Sequence, residues 1–204
     1  RIPGQYRIQS RLVMSRNDFQ SLNNQFLVAM PELEDPNFSR TVTLICQHDS
    51  NGALGVIVNR AIESLSVNDV LHQCKLPKAI STTIGLQPIY TGGPVHPELG
   101  LVLHRGAGAW QSTLKVGSEL GLTSSRDVLE AMAHSTGPDD CILVLGYAGW
   151  GAGQLDQEIK KNAWLTVPAN PTIIFDVGVE ERWTEAVSFL GVNVGTLSGS
   201  MGHA

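Results

Sequence analysis

Residues 146–155 read Gly-Tyr-Ala-Gly-Trp-Gly-Ala-Gly-Gln-Leu, and the prediction of the fold starts from them. They follow an apolar run at residues 141–145 and precede a polar segment with acids early and two lysines late. Acidic residues near the N-terminus of a helix and basic residues near its C-terminus suit the helix dipole. The pattern therefore predicts a strand, a glycine loop and a short helix that begins over residues 154–159. The glycines would let the backbone turn sharply or approach another group closely.

The glycine loop lacks the spacing of the known nucleotide-binding motifs. The dinucleotide fingerprint requires G-x-G-x-x-G after a strand, whereas position 154 is Gln. A phosphate loop ends in Lys followed by Ser or Thr, and no such ending follows here. Two interpretations stay open. The helix N-terminus could hold an anion through backbone N–H groups, or the glycines could simply allow a strand and a helix to pack closely around Trp150.

Length and composition indicate a soluble globular domain. The 204 residues fit one domain, and 42% hydrophobic with 16% charged residues is far from the composition of a disordered chain. No apolar run approaches the roughly 18–20 residues of a membrane span, and the N-terminus lacks the apolar core of a secretory signal. Cys46, Cys74 and Cys141 form no C-x-x-C pair, which predicts buried thiols in a reducing cytoplasm, with redox sensing by Cys74 as the alternative. We therefore expect a cytoplasmic protein with no membrane partner.

Charge is distributed unevenly along the chain. Four arginines precede the first acidic residue, Asp18, and the net charge of −5 becomes −9 when the first 16 residues are left out. An acidic body opposes the phosphate backbone of nucleic acids, so direct nucleic-acid binding is not expected. The polar residues 1–24 predict a disordered N-terminal arm, and because Met14 resembles a natural start, residues 1–13 are a candidate for sequence outside the native protein. Residues 25–204 are predicted to fold as one domain.

Alternating apolar residues predict a hairpin of two strands, at residues 41–47 and 54–58, because Asn51-Gly52 between such runs is a strong turn signal. Further strands are predicted at residues 26–30, 100–104, 112–114 and 164–167, and helices at residues 67–74, 124–134 and 180–190. Strands that occur both in hairpins and between helices favour a mixed α+β or α/β domain over an all-parallel one.

Searches for catalytic motifs identify one candidate residue. His48 lies at the predicted hairpin turn, and imidazole titrates near neutral pH, which suits acid–base chemistry. The alternative is a turn histidine that is bonded to Asp49 or to backbone. No H-E-x-x-H and no histidine pair at ligand spacing is present, nor a G-x-S-x-G elbow. No metal, no cofactor and no catalytic residue is assigned.

Several short motifs occur together along the chain. They are FLVAMP at residues 26–31, DPNF at 35–38, His48 with GALG at 52–55, NR at 59–60, GGPV at 92–95, LGYAGW at 145–150, GQL at 153–155, NAW at 162–164 and GHA at 202–204. In this combination the chain resembles the YqgE/AlgH family of bacterial proteins over about residues 26–204. The resemblance implies a single compact α+β domain in the cytosol, with a mixed, largely antiparallel, bifurcated or barrel-like sheet wrapped by helices. It supplies no established activity, although some members carry a transcriptional-regulator label.

Two hypotheses of function follow. The first is a non-enzymatic cytosolic binding or regulatory protein, with an indirect influence on gene expression, whose partner is an unknown protein or a small anionic ligand. Its contact surface would be built from loop residues, with a guanidinium to bind an anion and rings to provide flat contact area; the candidates are His48, Asn59, Arg60, Gly92, Gly93, Tyr147, Trp150 and Gln154. The alternative is an enzyme acting on a small molecule or nucleotide, with His48 as general base and Arg60 as electrophilic clamp. Both require these side chains to share a recess beside Trp150.

Overall fold

Ten strands and six helices make up the described part of the chain, residues 19–29, 35–106, 108 and 110–191 of a computed structural model. The strands are β1 (Gln25–Ala29), β2 (Val42–Asp49), β3 (Gly52–Ile57), β4 (Ala61–Ser66), β5 (Pro88–Thr91), β6 (Val95–Arg105), β7 (Thr113–Val116), β8 (Leu120–Thr123), β9 (Cys141–Gly151) and β10 (Trp164–Pro168). The helices are α1 (Val67–Gln73), α2 (Thr82–Gly85), α3 (Arg126–Ala133), α4 (Gln154–Lys160), α5 (Pro171–Phe175) and α6 (Arg182–Ser188). The predictions for residues 1–18, 30 and 202–204 concern parts of the chain outside these ranges.

The sheet branches at β9. Its main path runs β10-β1-β2-β3-β9-β6-β8-β7, and β4 and β5 form a side branch that joins β9 through β5. The pairing of β5 with β9 is parallel, and the other described pairs are antiparallel. The predicted single α+β domain with a largely antiparallel, bifurcated sheet is therefore confirmed.

Strand β9 corrects the prediction of a glycine loop. The strand continues through residue 151, so only Ala152 and Gly153 separate it from α4. The first half of β9 pairs with β5 and β6, whereas its second half pairs with β3. Gly146, with φ of +72°, lies between the two halves and takes a backbone conformation that favours glycine. The glycines serve a strand that changes partners, and not a loop.

The other predicted elements are confirmed with small shifts at their ends. The β2–β3 hairpin forms around the predicted turn, and α1, α3, α4 and α6 lie where helical patterns were found. Strand β7 includes most of the predicted residues 112–114, and the shorter elements α2, α5, β4, β5 and β8 were not predicted. In the described ranges no helix has the length and apolar character needed to cross a membrane.

Buried residues group into three packed clusters. The largest packs α5 and α6 against the sheet, a second packs α1 and α3 against β6 and β9, and a third surrounds Trp150 beneath α4. Cys46 and Cys141 are buried, as predicted, and burial raises the pKa of each thiol to about 12. Both therefore remain protonated thiols at neutral pH, and Cys74 is partly exposed.

Candidate functional site

Trp150 and Gln154, both predicted to form a contact surface, belong to the packing around α4. Trp150 is 7% exposed, and its Nε1 donates to Oε2 of Glu158 at 3.0 Å. Nε1 of Trp164 donates to the same oxygen at 2.9 Å, and Nε2 of Gln154 donates to the other carboxylate oxygen at 3.0 Å. One carboxylate thus satisfies two indole N–H groups that burial would otherwise leave without a partner. The ring of Trp150 is part of the core and offers little surface for binding.

His48 is held by the segment that precedes β1. Its side chain is almost fully buried, and Nδ1 accepts a hydrogen bond from the backbone N–H of Leu22 at 3.1 Å. Because Nδ1 accepts, the ring proton of the neutral imidazole lies on Nε2, which is 3.5 Å from Oδ2 of Asp156 in α4. Asp49 binds the backbone N–H of Asn51 instead. Of the alternatives drawn from the sequence, the histidine bonded to backbone matches these contacts.

A recess of about 580 Å³ opens beside this histidine, between residues 19–22 and α4. Phe19, which is half exposed, forms one wall, with its ring centroid 4.8 Å from that of His48. Ile159 and Lys160 form part of the opposite wall. The lining is largely apolar and includes no arginine, so the recess does not provide the guanidinium that was predicted from the sequence to bind an anion.

Asn59 and Arg60 hold the connector between β1 and β2 against the end of β3. The side chain of Asn59 accepts from the N–H of Val42 at 2.7 Å and donates to the carbonyl of Arg40 at 3.0 Å. The guanidinium of Arg60 donates to the carbonyls of Pro36 and Ser39 at 2.9 and 3.0 Å. Arg60 lines neither the recess beside α4 nor the shallow one beside Trp150. The structure therefore does not bring Arg60 together with His48 or Trp150 in either recess.

Gly92, Gly93 and Tyr147 lie where the segment between β5 and β6 passes against the backbone of β9. A Cβ atom on Gly92 would be 2.2 Å from the carbonyl oxygen of Gly146, and one on Gly93 would be 2.1 Å from the carbonyl carbon of Tyr147. The N–H of Gly92 donates to the carbonyl of Leu145 at 2.7 Å. Both glycines are explained by this close approach of two backbones. Tyr147 is partly exposed, with its ring 6.0 Å from that of His96.

A different arginine, Arg182, has the environment expected of a binding group. It opens α6 and is only 5% exposed. Its Nε donates to the carbonyl of Val177 at 3.0 Å, one terminal nitrogen donates to the carbonyl of Val58, and the other donates to the hydroxyl of Tyr90 at 3.4 Å. The guanidinium carbon lies 5.1 Å from the centroid of the Tyr90 ring. Within the described residues, no carboxylate lies within 4.0 Å of this buried cation.

Arg182 lines a small recess of about 140 Å³ between β5, the start of β9 and the helices α5 and α6. Tyr90 and Gln87 also line it, and Asp139 and Asp140 lie at the turn before β9. Cys141 also lines the recess, and burial first, and then the charges of Asp140 and Asp139, raise the pKa of its thiol to about 12.

A second arginine, Arg105, does not line the recess but contacts two residues that do, Asp140 and Phe175. Nε of Arg105 contacts Oδ2 of Asp140 at 2.7 Å, and a terminal nitrogen is 3.5 Å from Oδ2 of Asp176. Its guanidinium carbon lies 5.4 Å from the centroid of the Phe175 ring, which also lines the recess. Within the described part of the chain, no group of three or more His, Cys, Asp or Glu side chains is arranged to hold a metal ion.

Arg182 was not among the site residues predicted from the sequence. The helical pattern at residues 180–190 draws attention to its apolar side, with Trp183 and Val187, and an arginine at the start of such a helix resembles a solvated charge. Its acceptors Val58 and Tyr90 are 124 and 92 residues away in sequence. The spacing of nearby residues in the sequence carries no information about contacts over such distances along the chain.

The family model described as AlgH-like matches residues 26–195. The chain belongs to the AlgH-like family. A "UPF0301 protein" of Nitrosococcus oceani is 48% identical over 181 residues, which cover 89% of this chain and 96% of that relative. A "UPF0301 protein" of Xanthomonas campestris is 49% identical over 183 residues, which cover 90% and 96%. The residues that carried the resemblance thus identify the family correctly.

Two solved structures share the fold. The solution structure of the AlgH protein from Pseudomonas aeruginosa superposes with a TM-score of 0.74 at 45% identity, covering 94% of this chain and all of that one. A crystal structure of a Corynebacterium diphtheriae protein superposes with a TM-score of 0.65 at 22% identity, covering 88% and 92%. The second likeness concerns the fold alone.

Proposed function

We propose that this protein is a cytoplasmic, non-enzymatic binding protein that responds to a small anionic ligand held by Arg182. The observation that carries the proposal is a guanidinium that is 5% exposed and has no carboxylate within 4.0 Å among the described residues. Removing a charge from water costs free energy unless an opposite charge compensates it. The three acceptors of Arg182 are two carbonyls and a phenol, all of them neutral. An anion in the adjoining recess would supply the missing charge.

Arg182 and Tyr90, which both line the recess, have hydrogen-bond donors without a described acceptor. A guanidinium has five N–H groups, and three of those on Arg182 have a described acceptor. The hydroxyl of Tyr90 accepts from Arg182, and its own hydrogen has no acceptor among the described residues. Two N–H groups and one O–H group therefore remain for a ligand. Donors without competing acceptors suit a group that only accepts, such as a carboxylate.

The position of Arg182 suggests how binding could regulate the protein. Its side chain connects the end of β3, strand β5 and the turn before α6 through three hydrogen bonds. A ligand that binds only the folded arrangement would stabilise the packing of these elements against one another. A protein partner that contacts α5 or α6 would then detect whether the ligand is present. An effect on gene expression would be indirect, because the net charge of −5 opposes nucleic-acid binding.

The alternative, an enzyme with His48 as base and Arg60 as clamp, is supported less well. Nδ1 of His48 is occupied by the N–H of Leu22, and Arg60 donates to two main-chain carbonyls. Either residue would have to leave these partners before it could act on a substrate.

Thermal unfolding with sodium acetate tests the proposal, with sodium chloride at equal ionic strength as the reference. Acetate at ten times its dissociation constant should stabilise the fold by about 1.4 kcal/mol, which raises Tm by roughly 3–6 °C for a chain of this size. Arg182→Lys and Tyr90→Phe should each reduce the rise, because each removes donors from the recess. Arg60→Lys is the matched control, and it should retain the full rise.

A wild-type protein that acetate does not stabilise would contradict the proposal. So would an equal rise in wild type and Tyr90→Phe, a variant that keeps the ring and its packing. If only Arg60→Lys lost the increase in Tm with acetate, the ligand would bind at Arg60, as predicted from the sequence, and not at Arg182.

A further inference from the structure

We infer that the ligand is a small zwitterion of the amino-acid class, with its carboxylate on Arg182 and its ammonium facing Asp139. The inference rests on the proposed function and adds the chemical class of the ligand. The recess is lined by charges of both signs: the buried cation of Arg182 and the acidic side chains of Asp139 and Asp140.

The two acidic residues differ in how far their charges are already compensated. Asp140 contacts Nε of Arg105 at 2.7 Å, and that guanidinium also interacts with Asp176 and Phe175. Asp139 is exposed and has no ion pair or side-chain hydrogen bond within the described ranges. The uncompensated negative charge of the recess therefore belongs to Asp139, as the uncompensated positive charge belongs to Arg182.

This arrangement selects against ligands that carry only one sign of charge. A phosphate dianion would gain from Arg182, but its second negative charge would be repelled by the uncompensated carboxylate of Asp139. An amine alone would gain from Asp139 and would leave the buried guanidinium without a countercharge. A molecule with a carboxylate at one end and an ammonium at the other meets both requirements. The charge pattern of the recess is thus the complement of a zwitterion.

The volume restricts the ligand to a small one. The recess of about 140 Å³ is roughly ten times the minimum space for one water molecule. That space suits a ligand of a few non-hydrogen atoms, such as glycine or alanine. Aromatic amino acids would have to project out between Pro88 and Asp139, which line the recess and are exposed to solvent.

Isothermal titration calorimetry of the full chain with glycine, acetate and methylammonium tests the inference. Wild type should bind glycine roughly two- to fivefold more tightly than acetate, the range that a partly exposed ion pair provides, and should bind methylammonium more weakly than either. Asp139→Asn should bring the affinity for glycine to that of acetate, because the partner of the ammonium is lost. Glu119→Gln, an exposed acid that does not line the recess, is the matched control and should keep the preference for glycine.

The outcomes separate this inference from the proposed function. If acetate binds as tightly as glycine in wild type, or if Asp139→Asn keeps the preference, the zwitterion is excluded while anion binding by Arg182 stands. If neither glycine nor acetate binds, both the inference and the proposed function are overturned. Methylammonium binding more tightly than glycine would also overturn the inference.

Discussion

Two arginines with similar donors differ because of their surroundings. Arg60 and Arg182 both donate to two main-chain carbonyls. Arg60 is partly exposed, so water can solvate its charge, whereas Arg182 is 5% exposed and depends on protein or ligand groups. The free energy that an anion can contribute is larger where solvent screening is weaker. Burial, more than the type of residue, therefore makes Arg182 the better candidate.

His104 gives a prediction of pH dependence at the residue scale. It is fully buried, with Nε2 2.8 Å from Oγ1 of Thr123, and burial lowers its pKa below the ordinary 6.5. Below pH 6.5 the unfolded chain takes up a proton at this site before the folded protein does. The contribution of His104 to the free energy of unfolding should therefore be fully present above pH 6.5. It should decrease as the pH drops below 6.5, by up to about 1.4 kcal/mol per pH unit.

Urea denaturation between pH 7.5 and pH 5 measures this slope. His104→Gln should show a shallower decline than wild type, because the titrating group is gone. The exposed His134→Gln serves as the control and should follow wild type. An equal decline in the wild type and His104→Gln would contradict the assignment.

At the scale of elements, β9 is the central strand of the sheet, because three other strands pair with its backbone. It pairs with β3, β5 and β6, and the glycines near position 146 allow those backbones to approach. The sequence made the hairpin and α4 predictable, because alternation, the Asn51-Gly52 turn and the placement of charges are local signals. The path of β9 was not predictable, because glycine spacing alone does not distinguish a loop from a strand whose backbone other segments approach closely.

Gly92→Ala tests the close approach of the segment between β5 and β6 to the backbone of β9. The added Cβ would meet the carbonyl oxygen of Gly146 at 2.2 Å, and backbone cannot move aside as a flexible side chain can. We expect a loss of stability at or above the upper end of the roughly 1–3 kcal/mol typical of overpacking. Gly100→Ala is the control in the neighbouring strand β6, where an added Cβ meets nothing within 4 Å. Comparable denaturation midpoints for the two variants would contradict the importance assigned to this close approach of the two backbones.

At the scale of the whole molecule, the family resemblance predicted the fold better than the site. Motifs from residue 26 onward identified the family and thereby the branched sheet. The contact surface assembled from the same motifs does not form one recess: Arg60 lies at the β1–β2 connector, and Trp150 lies in the core under α4. Arg182 reaches acceptors 92 and 124 residues away, so its environment exists only once the chain has folded. Sequence motifs were sufficient to predict the fold. Identifying a buried charge without an opposite charge nearby required the three-dimensional structure.

A chemical-shift map of the whole protein during titration with glycine tests the central claim most directly. Two-dimensional NMR of backbone amides, together with the Nε–Hε signal of Arg182, reports every described part of the fold at once. Binding at Arg182 predicts that this signal shifts in a saturable way and that the perturbed amides cluster at residues 87–90, 139–142 and 175–182. Shifts confined to α4 and residues 19–22, or none that saturate, would show that Arg182 only stabilises the fold and does not bind the ligand.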